Sequence, residues 1–365
     1  MNRTIVRRIA IVGLVAVALL AACGRNADAP ALPSNARVKA TATGLVLDRT
    51  PWWPTGFDAY QLATDWSVNV GCGAQVDLNA YFSAVPARSL TRFNLFAALA
   101  VDKKTGRADF RAVDAVFAAA ARHRRMVLPV LTGGASPCEG DMFKDRSWYR
   151  SGWSSLPLGP HGTFADWVDT AVKRYRGEPS VAGWEPVGEP EPADCTAAGC
   201  TWSQRTCAAD APKVLRSFFD AVGGRIHRLD PGRLVFSGTT GGDQCGIAGD
   251  GYPLVARSPG VDVMDYHDYP DDASPTTPDT LAARIAQMRA VGKPIVVNEV
   301  GLRAGSCLSR DERARSLRAR LADHRRAGAA GALLWAYVPD PRPDQCTFDI
   351  GPDDPLWKVV SDLAS

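Results

Sequence analysis

The sequence predicts a single α/β domain, a (β/α)8 TIM barrel, and three observations carry that expectation. Eight short β-rich runs alternate with amphipathic helical patterns from residue 57 to residue 364, the order of repeated βαβ units that close into a barrel. Several runs, such as "RMVLPVL" (125–131) and "PIVVNEVG" (294–301), are almost continuously apolar, as parallel strands covered on both faces must be. The chain has 365 residues, 46% hydrophobic and 22% charged. That supplies an ample core, and suits one domain only if the architecture is large.

The first element is a targeting segment. Arg3, Arg7 and Arg8 precede the apolar run Ile9 to Ala22, too short for a comfortable membrane span and laid out like a secretory signal. Leu20-Ala21-Ala22-Cys23 resembles the bacterial lipobox. The resemblance implies cleavage before Cys23 and a lipid on its sulfur, hence an exported protein held at the cell envelope. Plain secretion, with Cys23 a spare thiol, is the competing reading. Residues 1–22 are thus expected to be the signal, 23–40 a small, polar, Pro-containing tether, and 41–365 the folded domain. Two short runs, "GLVLD" and "PWWPTG", are expected to form a β-hairpin over the barrel bottom.

The eight strands are expected at 57–62, 91–99, 125–131, 181–189, 233–238, 261–269, 294–301 and 331–337. The clearest helix is marked by the stripe Phe164, Trp167, Val168, Ala171, Val172 and Tyr175, which falls on one helical face. Further helical patterns lie at 107–123, 210–229, 278–291, 309–327 and 354–364.

Eight cysteines remain after Cys23, an even number that in an exported chain suggests disulfides. A zinc site is the competitor, but no CxxC pair occurs and the five histidines do not cluster at ligand spacing. On the barrel reading each of the eight follows a strand, in the loops of the face where barrel active sites sit. Cys307 and Cys346 follow adjacent strands and should pair. Cys245 should pair with Cys195, Cys200 or Cys207, and Cys72 with Cys138 is the remainder. A net charge of +3 gives no reason to expect nucleic acid or an anionic partner.

The stretch "GWEPVGEPEP" (183–192) crowds three glutamates and three prolines into ten residues. On the barrel reading Glu189 ends strand four and projects into a pocket. Glu185 lies deeper on the same strand, a structural acid for an arginine, and Glu191 lies past the strand in solvent. A second strand-end carboxylate is Glu299 of "KPIVVNEVG" on strand seven. Two such groups are the minimum for glycosidic hydrolysis, one protonating the leaving oxygen and the other attacking carbon or activating water.

These residues resemble the clan A glycoside hydrolases, retaining (β/α)8 enzymes, and most closely the cellulase and β-mannanase family called family 5. The resemblance implies that Glu189 of "GEP" is the acid/base and Glu299 the nucleophile. It places the nucleophile's arginine at Arg92 of "TRFNLF", the His-x-Tyr motif at His267 and Tyr269, and an aromatic sugar platform at Trp335 of "LLWAY". It implies an exported retaining β-glycosidase acting on a β-linked polysaccharide or oligosaccharide, of mannan or glucan type. No metal or organic cofactor is implied. Glu189 is expected to be protonated at rest through burial and the nearby Glu299 charge. A monomer is expected, meeting the membrane through its lipid alone.

One position departs. The family's Asn before the acid/base, a contact for the sugar 2-hydroxyl, is Gly188 here. Asn298 and His267 are the candidate replacements, and the missing side chain suggests a sugar differing at C2, mannose being the simplest. Trp52, Trp53, Trp66, Trp148, Trp153 and Trp202 could extend the sugar cleft, although packing is the ordinary fate of each. Two alternatives stay open: a non-catalytic glycan-binding lipoprotein on the same barrel, and a structural envelope protein without a glycan site.

Overall fold

A β-sheet of three short antiparallel strands, β1 (Val38–Ala40), β2 (Leu45–Leu47) and β3 (Thr50–Trp52), opens the fold. The computed structural model describes residues 36–140, 142–196, 200–270 and 279–364. The expected signal 1–22, the lipidation site Cys23 and the tether up to residue 35 lie outside the described residues. The expected hairpin is β2 with β3. It gains β1, whose Val38 is fully buried, so the folded domain begins before the expected boundary at 41.

Eight parallel strands then form the ring. They are β4 (Thr55–Asp58), β5 (Leu90–Asn94), β6 (Met126–Val130), β7 (Gly183–Trp184), β8 (Leu234–Val235), β9 (Met264–Asp268), β10 (Ile295–Val300) and β11 (Ala332–Leu334). Six of them pair in the order β9-β10-β11-β4-β5-β6. β7 pairs with β8, and isolated bridges Val127–Val181, Val130–Glu185 and Phe236–Val263 join this pair to β6 and β9. The barrel closes. Gly56 marks how tightly: a Cβ there would lie 2.0 Å from the Leu90 carbonyl oxygen of the next strand.

All eight expected strands exist, but β7 is far shorter than 181–189. Pro186 and Pro190 carry no N–H for a ladder, and Glu189 adopts φ 54°, left-handed backbone that ends an extended run.

Helices fill the outer ring: α1 (Leu78–Ala84), α2 (Arg111–His123), α3 (Arg146–Arg150), α4 (Phe164–Tyr175), α5 (Ala211–Leu229), α6 (Gly251–Ala256), α7 (Leu281–Val291), α8 (Arg310–Ala327) and α9 (Leu356–Ala364). The whole expected stripe of α4 is buried, and Thr163 with Asp166 forms its capping box, satisfying amide donors that the first turn leaves free. The core has two parts. One lies between the strands and the helices. The other seals the bottom, where Leu45, Leu47 and Trp52 of the small sheet pack on Leu90, Met126 and Leu333.

The opposite face is held by disulfides Cys72–Cys138, Cys195–Cys200, Cys207–Cys245 and Cys307–Cys346, with Cα atoms 4.8–5.3 Å apart. The partner left open for Cys245 is Cys207, which leaves Cys195 and Cys200 to each other. The tryptophans divide. Trp52 and Trp53 donate to the carbonyls of Arg88 and Ala329. Trp148 and Trp153 pack on Phe218 of α5, so these four do not extend a cleft. The side chain of Trp202 lies outside the described residues.

Candidate active site

Arg92, near the C-terminal end of β5, organises the site. Its Nε and Nη2 donate to Glu185 Oε2 and Oε1 at 2.8 and 2.6 Å, a two-pronged pairing that fixes the plane of the guanidinium. Its Nη1 donates to Asp58 Oδ1 at 2.8 Å and to Glu299 Oε1 at 2.7 Å. One buried arginine therefore serves the structural acid and the strand-seven carboxylate together. Burial works against its cation, but the surrounding carboxylates outweigh that and raise its pKa. Asp58 is affected oppositely: burial pushes its carboxyl well up, against the pull of Arg92.

Glu299 is 5% exposed. Besides Arg92 it accepts a short hydrogen bond from the Tyr269 hydroxyl at Oε2. His267 completes the arrangement, with Nδ1 2.9 Å from Glu189 Oε1 and 3.4 Å from Glu299 Oε2. Burial disfavours the imidazolium, but the Glu299 charge and the Glu189 hydrogen bond prevail and push His267 up to about 9.

Glu189 is half-exposed in the cleft. Its backbone is gripped by the loop after β6: the Gly134 N–H donates to the Gly188 carbonyl at 2.7 Å, and a Cβ on Gly134 would lie 2.2 Å from the Glu189 carbonyl oxygen. Burial raises the Glu189 carboxyl, yet the hydrogen bond and charge of His267 outweigh it, and the group titrates below its ordinary value. This corrects the expectation of a carboxyl protonated at rest.

A cleft of about 490 Å³ opens above these groups, lined among others by Glu189, Glu299, Tyr269, Asn94, Tyr60 and Trp335. Tyr60 and Trp335 stack with centroids 5.6 Å apart and planes at 17°. Glu189, His267 and Glu299 each present a ligand-type atom, all within 4.8 Å of one another. Both oxygens of Glu299 are already taken, Oε1 by Arg92 and Oε2 by Tyr269.

Three expected placements change. Asn298 is fully buried, and its Nδ2 donates to Glu185 Oε2 at 3.0 Å, so it lies beneath the site and does not reach a sugar. The register of β10 against β11 shifts between Val297 and Val300, an irregularity that re-aims side chains. Adjacent Asn298 and Glu299 thereby both join one interior network. Glu191 is not solvated. It is 3% exposed and accepts from Arg205 Nη1 at 2.6 Å. At Gly188 the expected free space is taken: a Cβ would lie 3.1 Å from Arg92 Nη2 and 3.4 Å from Val130 Cγ1.

Asp58 and Tyr60 are absent from the sequence expectation. The observed strand ends at Asp58, earlier than the expected 57–62, so the strand-end argument that singled out Glu189 passed over both.

No family model matches the chain. A curated protein named "Probable mannan endo-1,4-beta-mannosidase C", from Aspergillus terreus, is 32% identical over 146 residues. That match spans 37% of this chain and 35% of the relative, about a third of each. Among solved structures, the endo-1,4-beta-mannanase of Rhizomucor miehei superposes with a TM-score of 0.65 at 16% identity, covering 90% of this chain and 98% of its own. The endo-beta-1,4-mannanase of Thermotoga petrophila gives 0.62 at 15%, covering 86% and 76%. A Pseudomonas stutzeri endoglucanase gives 0.54 at 16%, covering 86% and 97%. The barrel is shared. At these identities the likeness establishes the fold alone.

Proposed function

We propose that the protein is a retaining β-glycosidase that hydrolyses β-linked polysaccharide or oligosaccharide of the mannan or glucan type. The observation that carries this is the approach of Glu189 and Glu299, with an oxygen of each within 4.8 Å. That spacing suits direct attack and a glycosyl-enzyme, since retaining pairs stand about 5–5.5 Å apart and inverting pairs roughly 6.5–9.5 Å. Glu299, aligned by Arg92 and Tyr269, attacks the anomeric carbon while Glu189 protonates the departing oxygen. Water then releases the sugar, giving its proton back to Glu189. Tyr60 and Trp335 offer the aromatic face on which a pyranose stacks. The mannanase names of the partial relative and of several fold neighbours favour mannan.

The test is a panel of β-mannans, glucomannan and cello-oligosaccharides with product analysis. Hydrolysis with retained configuration that disappears in Glu299→Ala is expected. Wild type that binds oligosaccharide yet releases no product would overturn the reading in favour of a non-catalytic glycan-binding lipoprotein. One feature favours that second reading: although burial raises the Glu189 carboxyl, the hydrogen bond and charge of His267 carry it below its ordinary value.

The protein is further proposed to be an exported monomer anchored through Cys23. The arginines before the apolar run and the "LAAC" match support this. Metabolic labelling with a fatty acid should tag the chain, and Cys23→Ser should abolish the tag and release soluble protein. Label persisting in that variant would place the anchor elsewhere.

A further inference from the structure

We propose that a cavity of about 540 Å³ beside the catalytic cleft binds an apolar substituent, an aromatic or long acyl ester, carried by the glycan substrate. The inference rests on the hydrolase reading and names the decoration that the substrate bears.

The cavity lies among the loops that follow β4, β5 and β6. Cys138 lines both it and the cleft, and the bond to Cys72 ties the first of these loops to the third. A group projecting sideways from a sugar in the cleft would enter past this disulfide.

The lining selects the kind of group. Its walls are mainly carbon: Val70, Ala97, Ala98, Val101, Leu158 and Pro160. The three side chains with polar atoms are largely committed elsewhere. His161 Nε2 bonds the Ala100 carbonyl at 3.1 Å, and burial holds the ring's pKa below its ordinary value. Glu139 Oε2 accepts from Thr132, Gly133 and Lys144. Lys103 donates to the Trp66 carbonyl. A pyranose needs many hydrogen bonds and an aromatic face, and these walls present neither. Glu139 Oε1 is buried without a partner, an acceptor that repels a carboxylate, so a uronic acid is disfavoured too. An ester fits better. Its tail meets carbon, and Lys103, at the exposed rim, has further ammonium protons for the carbonyl. The volume falls within the roughly 300–1,000 Å³ of pockets for drug-sized ligands, room for far more than an acetyl group.

The outer surface points the same way. Among the described residues the exposed large hydrophobic side chains are Trp66, Val70, Met142 and Leu156. Val70 lines the cavity, and Trp66 lies against the lining residue Gly71. Trp66 Nε1 would sit 3.1 Å from a Cβ on Gly71. Apolar exposure at Val70 and Trp66, beside the lining residue Gly71, marks an interaction site.

The test has two arms. Methyl 4-hydroxycinnamate, a neutral aromatic ester, is titrated calorimetrically into wild type, Ala98→Trp and Glu299→Gln. Ala98 is exposed on the cavity wall, so the larger side chain fills the space without disturbing the core. Saturable binding is expected, weakened roughly tenfold in Ala98→Trp and unchanged in Glu299→Gln. In the second arm, kcat/KM is measured on mannan oligosaccharides esterified with the same acid and on their saponified forms. The esterified substrate should be favoured by wild type and not by Ala98→Trp, with saponified rates equal in both. No saturable ester binding, or binding indifferent to Ala98→Trp, would overturn the proposal. So would adherence of wild type, but not Ala98→Trp, to phospholipid vesicles without ester binding, which would assign the cavity to a membrane surface. Ester binding in a protein that hydrolyses no glycan would sink the hydrolase reading and leave the site standing.

Discussion

Nδ1 of His267 lies 2.9 Å from Oε1 of Glu189, so the carboxyl that would protonate the leaving group shares its proton with an imidazole. On the proposed reading the pair, and not Glu189 alone, is the acid. With His267 pushed up to about 9, the pair keeps its proton through neutral pH. The basic limb of kcat/KM should therefore fall near pH 9, well above the range of an isolated carboxyl. The sign for stability follows the same shift. A histidine raised above its ordinary 6.5 stabilises the fold fully below that pH and loses the contribution as pH rises through about 9. His267→Gln should move the basic limb down by at least a pH unit and remove this loss. A limb unchanged in that variant would detach His267 from the proton.

Glu189→Gln should lower kcat by roughly 10²–10⁴-fold on natural linkages. The loss should be much smaller on an aryl β-glycoside, whose leaving group needs no proton. Equal losses on both substrates would deny Glu189 the role of acid.

Asp58 reaches Glu299 only through Arg92, by contacts of 2.8 and 2.7 Å. Asp58→Ala should free that end of the guanidinium and lower kcat by up to about 10²-fold with little change in KM, as expected for a misplaced reacting group. Asp58→Asn keeps an acceptor and should recover most of the rate. If both variants behave alike, positioning is not what Asp58 contributes.

Gly188→Asn places a Cβ 3.1 Å from Arg92 Nη2. The arginine must yield, and Glu299 with it, so activity should fall on mannan and glucan substrates alike. A rise on glucosides would show that the barrel tolerates the side chain and that the glycine sets sugar preference.

Replacing Cys307 and Cys346 by serine opens a 39-residue separation and should cost about 4 kcal/mol by loop entropy. The same change at Cys195 and Cys200, only 5 residues apart, should cost about 2 kcal/mol. Thermal unfolding of the two double variants gives the order. The reverse order would mean that strain or local packing dominates.

The elements were legible because their signals are local. The α4 stripe, the apolar runs and the placement of cysteines after strands each depend on neighbours along the chain. The carboxylates were legible for the same reason, as strand ends. What escaped depends on contacts between distant segments. Glu191 looks solvated beside two prolines, but Arg205 and the backbone N–H of Cys245, both distant along the chain, hold its carboxylate inside. Asn298 borders Glu299 and would face away in a regular strand, but the β10 irregularity turns both inward. The lowered pKa of Glu189 rests on a histidine 78 positions away, whose orientation no spacing rule supplies.

The hydrogen bonds of Arg92 span 34, 93 and 207 residues of sequence and tie together four strands that lie far apart along the chain. Such long-range contacts form only after much of the chain has been closed upon itself. Glu299 is therefore not aligned until β10 has closed against the strands that open the ring. An unfinished or clipped chain would hold every glutamate in its sequence and have no working pair. Activity recovered during refolding should therefore lag behind helix content.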